Sequence, residues 1–340
     1  MKKKLAVVLS LMLVFAVVFC TACGGKTDGN GGTTAAPGNS ASDAIAKIKV
    51  GTGGNTGTYY AFTTAACQIL ATDAYSFEVL STGGSQANIE GIEDGDYQMA
   101  IVQNDVMNYA YEGSNGFNEK IQSFSAIGCV YPEVCQIIAT KSSGIKTVAD
   151  LKGKNVAVGD AGSGVYYNAT QILAAAGIDI EKDINKTAAS FGDSATQLKD
   201  GSIDAAFITA GTPTTAITEL ATTNGVYMIN IDGAIRDSIL SDCPYYTSYQ
   251  IPAGTYPGQD EPVETITVKA TIVVSESLDE DTVYDMTAAI FDHADEISAE
   301  NAKGAELSLE NATSGMTIPF HKGAARYYAE HGITVDTKGE

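Results

Sequence analysis

Four short segments of this chain combine glycine with hydroxyl side chains. Gly51 to Gly57 reads GTGGNTG, Ser81 to Ser85 reads STGGS, Gly159 to Gly164 reads GDAGSG and Ser190 to Ser194 reads SFGDS. Glycine lets a ligand approach the backbone, and a helix that starts just after such a loop presents free N–H groups and the positive end of its dipole. The chemistry this suits is capture of a carboxylate or another small anion. Any one loop reads equally well as a turn with an N-cap; four at matched positions point to a cleft. Asn55, Thr56 and Gly57 are predicted to meet ligand through backbone and hydroxyl groups, and Ser81, Thr82 and Ser85 to cap the next helix and donate to the same ligand. Gly162, Ser163 and Gly164 are the expected opposing anion nest. Tyr59 either lines the cleft or packs on a sheet, and Tyr60 is read as packing. Gln103 and Asp105 follow an apolar strand; Asp105 either holds a ligand ammonium or caps the helix through Tyr111. Thr209, Ala210 and Gly211 end another strand where a cleft should open, and Tyr249 completes the set.

Other chemistries find little support. The first loop misses the GxGxxG spacing, because Thr56 stands where the last glycine belongs, and neither GxxxxGK[ST] nor GxSxG occurs. The three histidines, His293, His321 and His331, lie late in the chain and form no HExxH pair; His321 and His331 are read as exposed helix residues. No metal and no cofactor is expected. Without CxxC, Cys67, Cys129, Cys135 and Cys243 do not suggest zinc. On one strand Cys129 and Cys135 would lie about 20 Å apart, too far to pair, so buried free thiols are expected, with a disulfide through Cys243 left open. Arg236 and Arg326 are the only arginines. Neither falls in a cleft motif, so both are placed on helix surfaces, and a carboxylate would be held by N–H and hydroxyl groups. The chain has no Trp, which argues against a sugar platform.

The elements that must position these loops repeat. Ile48–Val50, a glycine loop, Thr58-Tyr59-Tyr60 and a helix to about Ala71 are followed by a strand at 77–80, a helix to Gly95 and a strand at 98–102. The order recurs from Asn155–Val158 through Val165-Tyr166-Tyr167, a helix to about Ala176, the Ser190 loop, a helix to Gly201 and a strand at 204–208. Strands alternating with helices mean βαβ units in a mainly parallel sheet. Two copies mean an α/β protein of two similar lobes, with ligand beyond the carboxyl ends of the strands and closure by a hinge.

The ends and the charge set the compartment. Lys2 to Lys4 precede the apolar run Leu5–Phe19, which is shorter than the roughly 20 residues of a membrane span. This is a secretory signal pattern. Thr21-Ala22-Cys23 resembles a lipobox, although Cys20 replaces its usual Leu, and it implies acylation (palmitate) at Cys23; the alternative is an ordinary signal cut near Ala22. Residues 1–22 are then signal peptide and 23–43 a flexible tether of Gly, Thr, Ala, Asn, Ser and Pro. The rest, about 300 residues, is enough for two domains. Without the three signal lysines, 17 basic residues face 41 acidic ones, a charge near −24. That charge excludes nucleic acid and repels anionic lipid, so membrane contact is expected through the anchor alone.

With those loops in view, the chain resembles the TAXI family of TRAP transporter solute receptors. The matching stretches are VGTGGNTGTYY at Val50–Tyr60, STGGS at Ser81–Ser85, AIVQND at Ala100–Asp105, DLKGKNVAVG at Asp150–Gly159, GSG at Gly162–Gly164, DGSIDAAF at Asp200–Phe207, AGTP at Ala210–Pro213, AGTYPG at Ala253–Gly258 and the segment Thr265–Phe291. The resemblance implies a type II periplasmic-binding-protein fold with lobe 1 from 44–133 plus 267–340 and lobe 2 from 134–266. It also implies a lipid-anchored receptor at the outer face of the cell membrane, TRAP membrane permease subunits as partners, no enzymatic activity, and a ligand such as a glutamate- or glutamine-like amino acid or a dicarboxylate. Two rivals stand beside it. An exported enzyme on the same fold would have Asp105 as its one candidate acid or base. A sensor module would need a signalling segment after the lobes.

Overall fold

The computed structural model describes residues 46–339. The expected signal peptide, the tether and Cys23 lie outside the described residues. Residues 46–339 belong to one compact unit. Its strands are β1 (Ala46–Gly51), β2 (Tyr75–Leu80), β3 (Met99–Gln103), β4 (Phe124–Ala139), β5 (Asn155–Ala157), β6 (Asn185–Thr187), β7 (Ala205–Ala210), β8 (Tyr227–Ile229), β9 (Thr247–Ile251) and β10 (Val263–Ser275). The helices used below are α1 (Thr58–Leu70), α2 (Ser85–Glu93), α3 (Asn104–Glu112), α4 (Gly164–Ala175), α5 (Phe191–Asp200), α6 (Thr215–Asn224), α7 (Gly233–Asp242) and α8 (Glu280–Asp292).

The sheet order is β2-β1-β3-β10-β4-β7-β5-β6, with β8 on β4 and β9 on β10. The outer pairs β1–β2, β1–β3, β5–β6 and β5–β7 are parallel, as βαβ units require. The centre is not: β10 runs antiparallel to both β3 and β4, and β4 antiparallel to β7. The expectation of a mainly parallel sheet therefore holds for each flank and fails at the middle. The cause is that β4 and β10 belong to both flanks. At 16 residues, β4 reaches about 50 Å. Its residues 124–134 pair with β10, and 134–139 pair with β7. The other end of β10, 263–267, pairs with β9.

The apolar pattern follows this division. One buried cluster gathers α1, α2, α3 and α8 around β1 and β3 and the shared strands. Two more cover the opposite faces of the sheet beyond, one with α4 and α7 and one with α6. In α1 the buried positions Tyr59, Phe62, Thr63, Ala66, Cys67 and Leu70 recur at helical spacing. Phe62 is fully buried and meets the Tyr131 ring of β4 edge-on at 5.1 Å. Truncating such a side chain costs ~3–5 kcal/mol, so this contact fixes the height of α1 on the long strand.

Several smaller expectations change. β2 starts at Tyr75 and β7 runs to Ala210, each two residues beyond the sequence reading. His321 is buried rather than exposed; its Nδ1 accepts from the Gly323 N–H and caps the helix Lys322–Glu330. Cys129 and Cys135 both lie in β4, and Cys67, Cys129, Cys135 and Cys243 are all free thiols. Arg236 pairs with Asp237 and Glu264, and Arg326 with Glu280 and Asp281, away from the cleft. Among the described residues no helix is long and apolar enough to cross a membrane.

Candidate functional site

The four glycine–hydroxyl loops leave the carboxyl ends of β1, β2, β5 and β6 and open α1, α2, α4 and α5. All four helix starts converge on one cavity of about 50 Å³, lined by Gly53, Gly54, Gly57, Thr58, Tyr59, Gly83, Gly84, Ser85, Gln103, Glu133, Asp160, Ser163, Gly164, Val165, Ser190, Phe191, Thr209 and Ala210. That volume holds roughly three to five waters, so the cleft is closed down on a small space. Backbone contacts cross it: the N–H groups of Gln86 and Ala87 donate to the Gly162 carbonyl at 3.0 and 3.1 Å. The Thr58 hydroxyl donates to the Gly211 carbonyl at 3.1 Å.

The helix starts differ in how their orphan N–H groups are satisfied. In α4 the Ser163 side chain accepts from Val165 N–H, and in α5 the Ser190 side chain accepts from Asp193 N–H. The caps of α1 and α2 are Gly57 and Gly84, with no side chain to accept. Gly84, at φ +113°, has a backbone that only glycine adopts easily. The first turn of α1 is thus the start best placed to receive an anion, and α2 is partly occupied by Gly162.

The cavity floor is acidic and deep. Glu133 is 1% exposed in the middle of β4, where that strand passes from β10 to β7. Its Oε2 accepts from the Tyr59 hydroxyl at 2.5 Å. Burial pushes the Glu133 carboxyl up to about 8, against the pull of the Tyr59 hydrogen bond and with a push from the Asp105 charge. Tyr59 itself is raised well above its usual value, first by burial and then by Glu133. Gln103 is 2% exposed, and its buried Oε1 has no hydrogen-bond partner.

Of the residues expected from sequence, Gly57, Tyr59, Ser85, Gln103, Ser163, Gly164, Thr209 and Ala210 line the cavity. Tyr59 both lines it and packs in the core, so the two readings of that residue were compatible. The others sit elsewhere. Asn55 is exposed on its loop. Thr56 faces Gly192 of the opposite loop. The Ser81 hydroxyl donates to the Gly53 carbonyl, and that of Thr82 to the Thr52 carbonyl. Gly162 supplies a carbonyl to α2 rather than an N–H to a nest. Gly211 accepts from Thr58 and Thr214. Tyr249 lies in β9, against the Thr265 position of β10 and the core behind it.

Asp105 neither caps α3 nor reaches the cavity. It is the second residue of that helix, fully buried, and accepts from Asn168 Nδ2 at 3.0 Å. Asn168 also donates to the Tyr246 hydroxyl at 2.7 Å, Tyr246 to Gln171 at 2.6 Å, and Gln171 to the Tyr109 hydroxyl at 2.8 Å. This chain stitches α3 to α4. Burial pushes Asp105 up to about 7.

The sequence reading missed Glu133, Asp160, Gly53, Gly54, Gly83, Gly84, Thr58, Val165, Ser190 and Phe191. The signal for Glu133 was present: it is the one acid inside the otherwise apolar run FSAIGCVYPEVCQIIA. No group of three or more His, Cys, Asp or Glu that could hold a metal occurs among the described residues.

The profile of the NMT1-like family matches residues 50–332. A solved structure from Bordetella bronchiseptica RB50 is 17% identical, with a TM-score of 0.53, over 84% of this chain and 89% of that one. The ligand-binding component of an ABC-type import system from Staphylococcus aureus, solved with zinc bound, is 12% identical, with a TM-score of 0.50, over 86% of this chain and 94% of that one. At these identities the likeness speaks to the fold, which is the α/β, two-lobed periplasmic-binding-protein architecture.

Proposed function

The chain belongs to the NMT1-like family, and from its fold and cleft we propose that it is an extracytoplasmic solute receptor that closes on a small carboxylate-bearing ligand. The observation that carries this reading is the convergence of four helix starts, two of them without any side-chain cap, on a single cavity. Backbone N–H groups aimed into one cavity bind a carboxylate without a cationic side chain, and among the described residues no Lys, Arg or His lines it. The lobes, 44–133 plus 267–340 and 134–266, close by bending β4 and β10, which are the strands they share.

The partner in this proposal is a TRAP-type membrane permease, on the strength of the TAXI-like motifs at Val50–Tyr60, Ala100–Asp105 and Asp200–Phe207. The Staphylococcus aureus neighbour belongs to an ABC-type system, so that class of permease is the alternative. A large multi-span permease gene beside this one supports the first, and a nucleotide-binding subunit gene the second. Cys23 would carry the lipid that holds the receptor at the outer face of the cell membrane.

The test is thermal melting of the purified protein against a panel of amino acids, dicarboxylates, neutral sugars and amines. A ligand bound only by the folded state stabilises by about 2.7 kcal/mol at a hundred times its Kd, a rise of several degrees. A rise with carboxylate-bearing compounds is expected. Shifts confined to sugars or to amines lacking a carboxylate would overturn the carboxylate cleft.

A further inference from the structure

One buried acid lies between the two flanks of the sheet and takes no part in the cavity. Asp105 in α3 is fully buried, and so is Asn168 in α4 on the opposite flank. Asn168 Nδ2 donates to Asp105 Oδ2 at 3.0 Å and to the Tyr246 hydroxyl at 2.7 Å. The other oxygen of each side chain, Asp105 Oδ1 and Asn168 Oδ1, is buried with no donor. The titratable groups around Asp105 are Tyr109 on α3, Glu133 and Cys135 on β4, Tyr167 on α4, and Cys243, Tyr245 and Tyr246 between α7 and β9. Each is an acid, a thiol or a phenol, so none offsets a negative charge. Charged groups on two neighbouring elements are engaged elsewhere: the Lys269 ammonium of β10 donates to the Ser314 carbonyl, and Glu90 of α2 accepts from Gln86. An ionised carboxylate in such surroundings is costly. A proton on Asp105 removes the charge and turns one unsatisfied acceptor into a donor.

We propose that Asp105 takes one proton from solvent when the cleft closes and returns it to solvent when the cleft opens, which makes the link between α3 and α4 a pH-sensitive latch. The sign follows from the two environments. Open, the carboxyl meets water and keeps its ordinary 3.8; closed, burial holds it up to about 7. The proton therefore favours the closed form fully below 3.8. That advantage falls by up to about tenfold per pH unit between the two values, and it is lost above about 7. Asp105 does not line the cavity, so the latch acts on closure whatever the ligand. The inference rests on the receptor reading only for the hinge motion.

Hydrogen exchange reads that motion without a ligand. Gln86 and Ala87 lie in the first turn of α2, where an amide has no partner within its own helix. Both donate to the Gly162 carbonyl across the cleft, so they are protected only while it is closed. Their exchange is followed by NMR from pH 5 to pH 8 in the native protein, Asp105→Asn and Glu133→Gln, with each rate referred to that of an unstructured peptide at the same pH. Native protection is expected to fall at least about 10-fold over this range. Asparagine carries a donor and an acceptor, as the protonated acid does, so in Asp105→Asn the change should stay under about 3-fold. In Glu133→Gln the fall should persist. Where Asp105→Asn does not fold, judged by melting, Asn168→Asp takes its place, and its second buried acid should steepen the fall. The latch is overturned by native protection that does not fall, by its absence at pH 5, by a fall that Asp105→Asn retains or Asn168→Asp leaves unsteepened, or by one that disappears in Glu133→Gln. None of these results alters whether carboxylates raise the melting temperature, which remains the test of the receptor reading.

Discussion

Glu133 and Asp105 are carboxyls held in a protein interior, and each carries a consequence for pH. Their folded-state values, about 8 and about 7, lie above their ordinary 4.5 and 3.8. A group raised in this way contributes stability that is fully present below its unfolded pKa and is lost as pH rises through the folded value. Tyr59 from α1, Tyr131 from β4, Asp105 from α3 and Lys303 from the turn Ala302–Glu306 face or act on Glu133. Asn168 and Tyr246 face Asp105. Of these charges only Lys303 opposes the upward shift. The melting temperature of the ligand-free protein should therefore fall by several degrees from pH 5 to pH 9, and a Glu133→Gln, Asp105→Asn double variant should flatten that slope; an unchanged slope would show that the two carboxyls are not its source. Their legibility in the sequence differed. Asp105 stood out because it follows a buried strand, yet its role depended on Asn168, 63 residues away, a partner no local pattern announces. Glu133 was passed over because it lies in an apolar run with no motif, and only the pairing of β4 with β10 and the packing of α1 bring it to the cleft.

At the scale of elements, the loop-to-helix junctions were readable because glycine, hydroxyl and helical periodicity all agree locally. The helices after Thr58, Ser85, Gly164 and Phe191 end within a residue or two of the positions read from sequence. What local pattern could not convey was which loop meets which across the cleft. Gly83 is the sharpest case: a Cβ there would lie 2.2 Å from the Ala161 carbonyl of the opposite loop, whose backbone cannot yield as a side-chain tip would. Gly83→Ala should leave the helix start of α2 intact and prevent full closure. The expected outcome is a ligand affinity lowered at least 10-fold by calorimetry, with the ligand-free melting temperature within a degree or two of the native protein. A variant that binds normally would mean that closure does not bring these loops together in the bound state. Ser81, Thr82 and Gly162 show the same limit of local pattern: each sits at the expected junction and spends a polar group on bracing a loop or helix start.

At the scale of the whole molecule, the repeat revealed two α/β halves but not the antiparallel centre that joins them. Parallel flanks follow from βαβ periodicity, whereas β4 and β10 pair across more than 120 residues of sequence, and a pairing of that range leaves no mark in either strand alone. The chain from α3 to α4 through Asp105, Asn168, Tyr246, Gln171 and Tyr109 adds a second link between the halves. Two of its bonds, Asn168 to Asp105 and Gln171 to Tyr109, cross between the halves, so opening the cleft requires those groups to be rehydrated.

The place of β10 between β3 and β4 also sets an order of assembly. During synthesis the first half of the sheet cannot close until residues 263–275 have emerged, because β3 and the leading part of β4 have no other partner there. Until then two apolar strand edges face solvent, the kind of surface that recruits other chains. The 134–262 region suffers less, since β5, β6, β7 and β8 pair among themselves and with the far end of β4. A chain ending before Val263 should accordingly be recovered as aggregate, and adding a separate fragment spanning 263–340 during refolding should restore part of the soluble yield. The last quarter of the sequence thus acts as a clasp, and the newborn protein depends on whatever keeps its earlier strands apart until the clasp arrives.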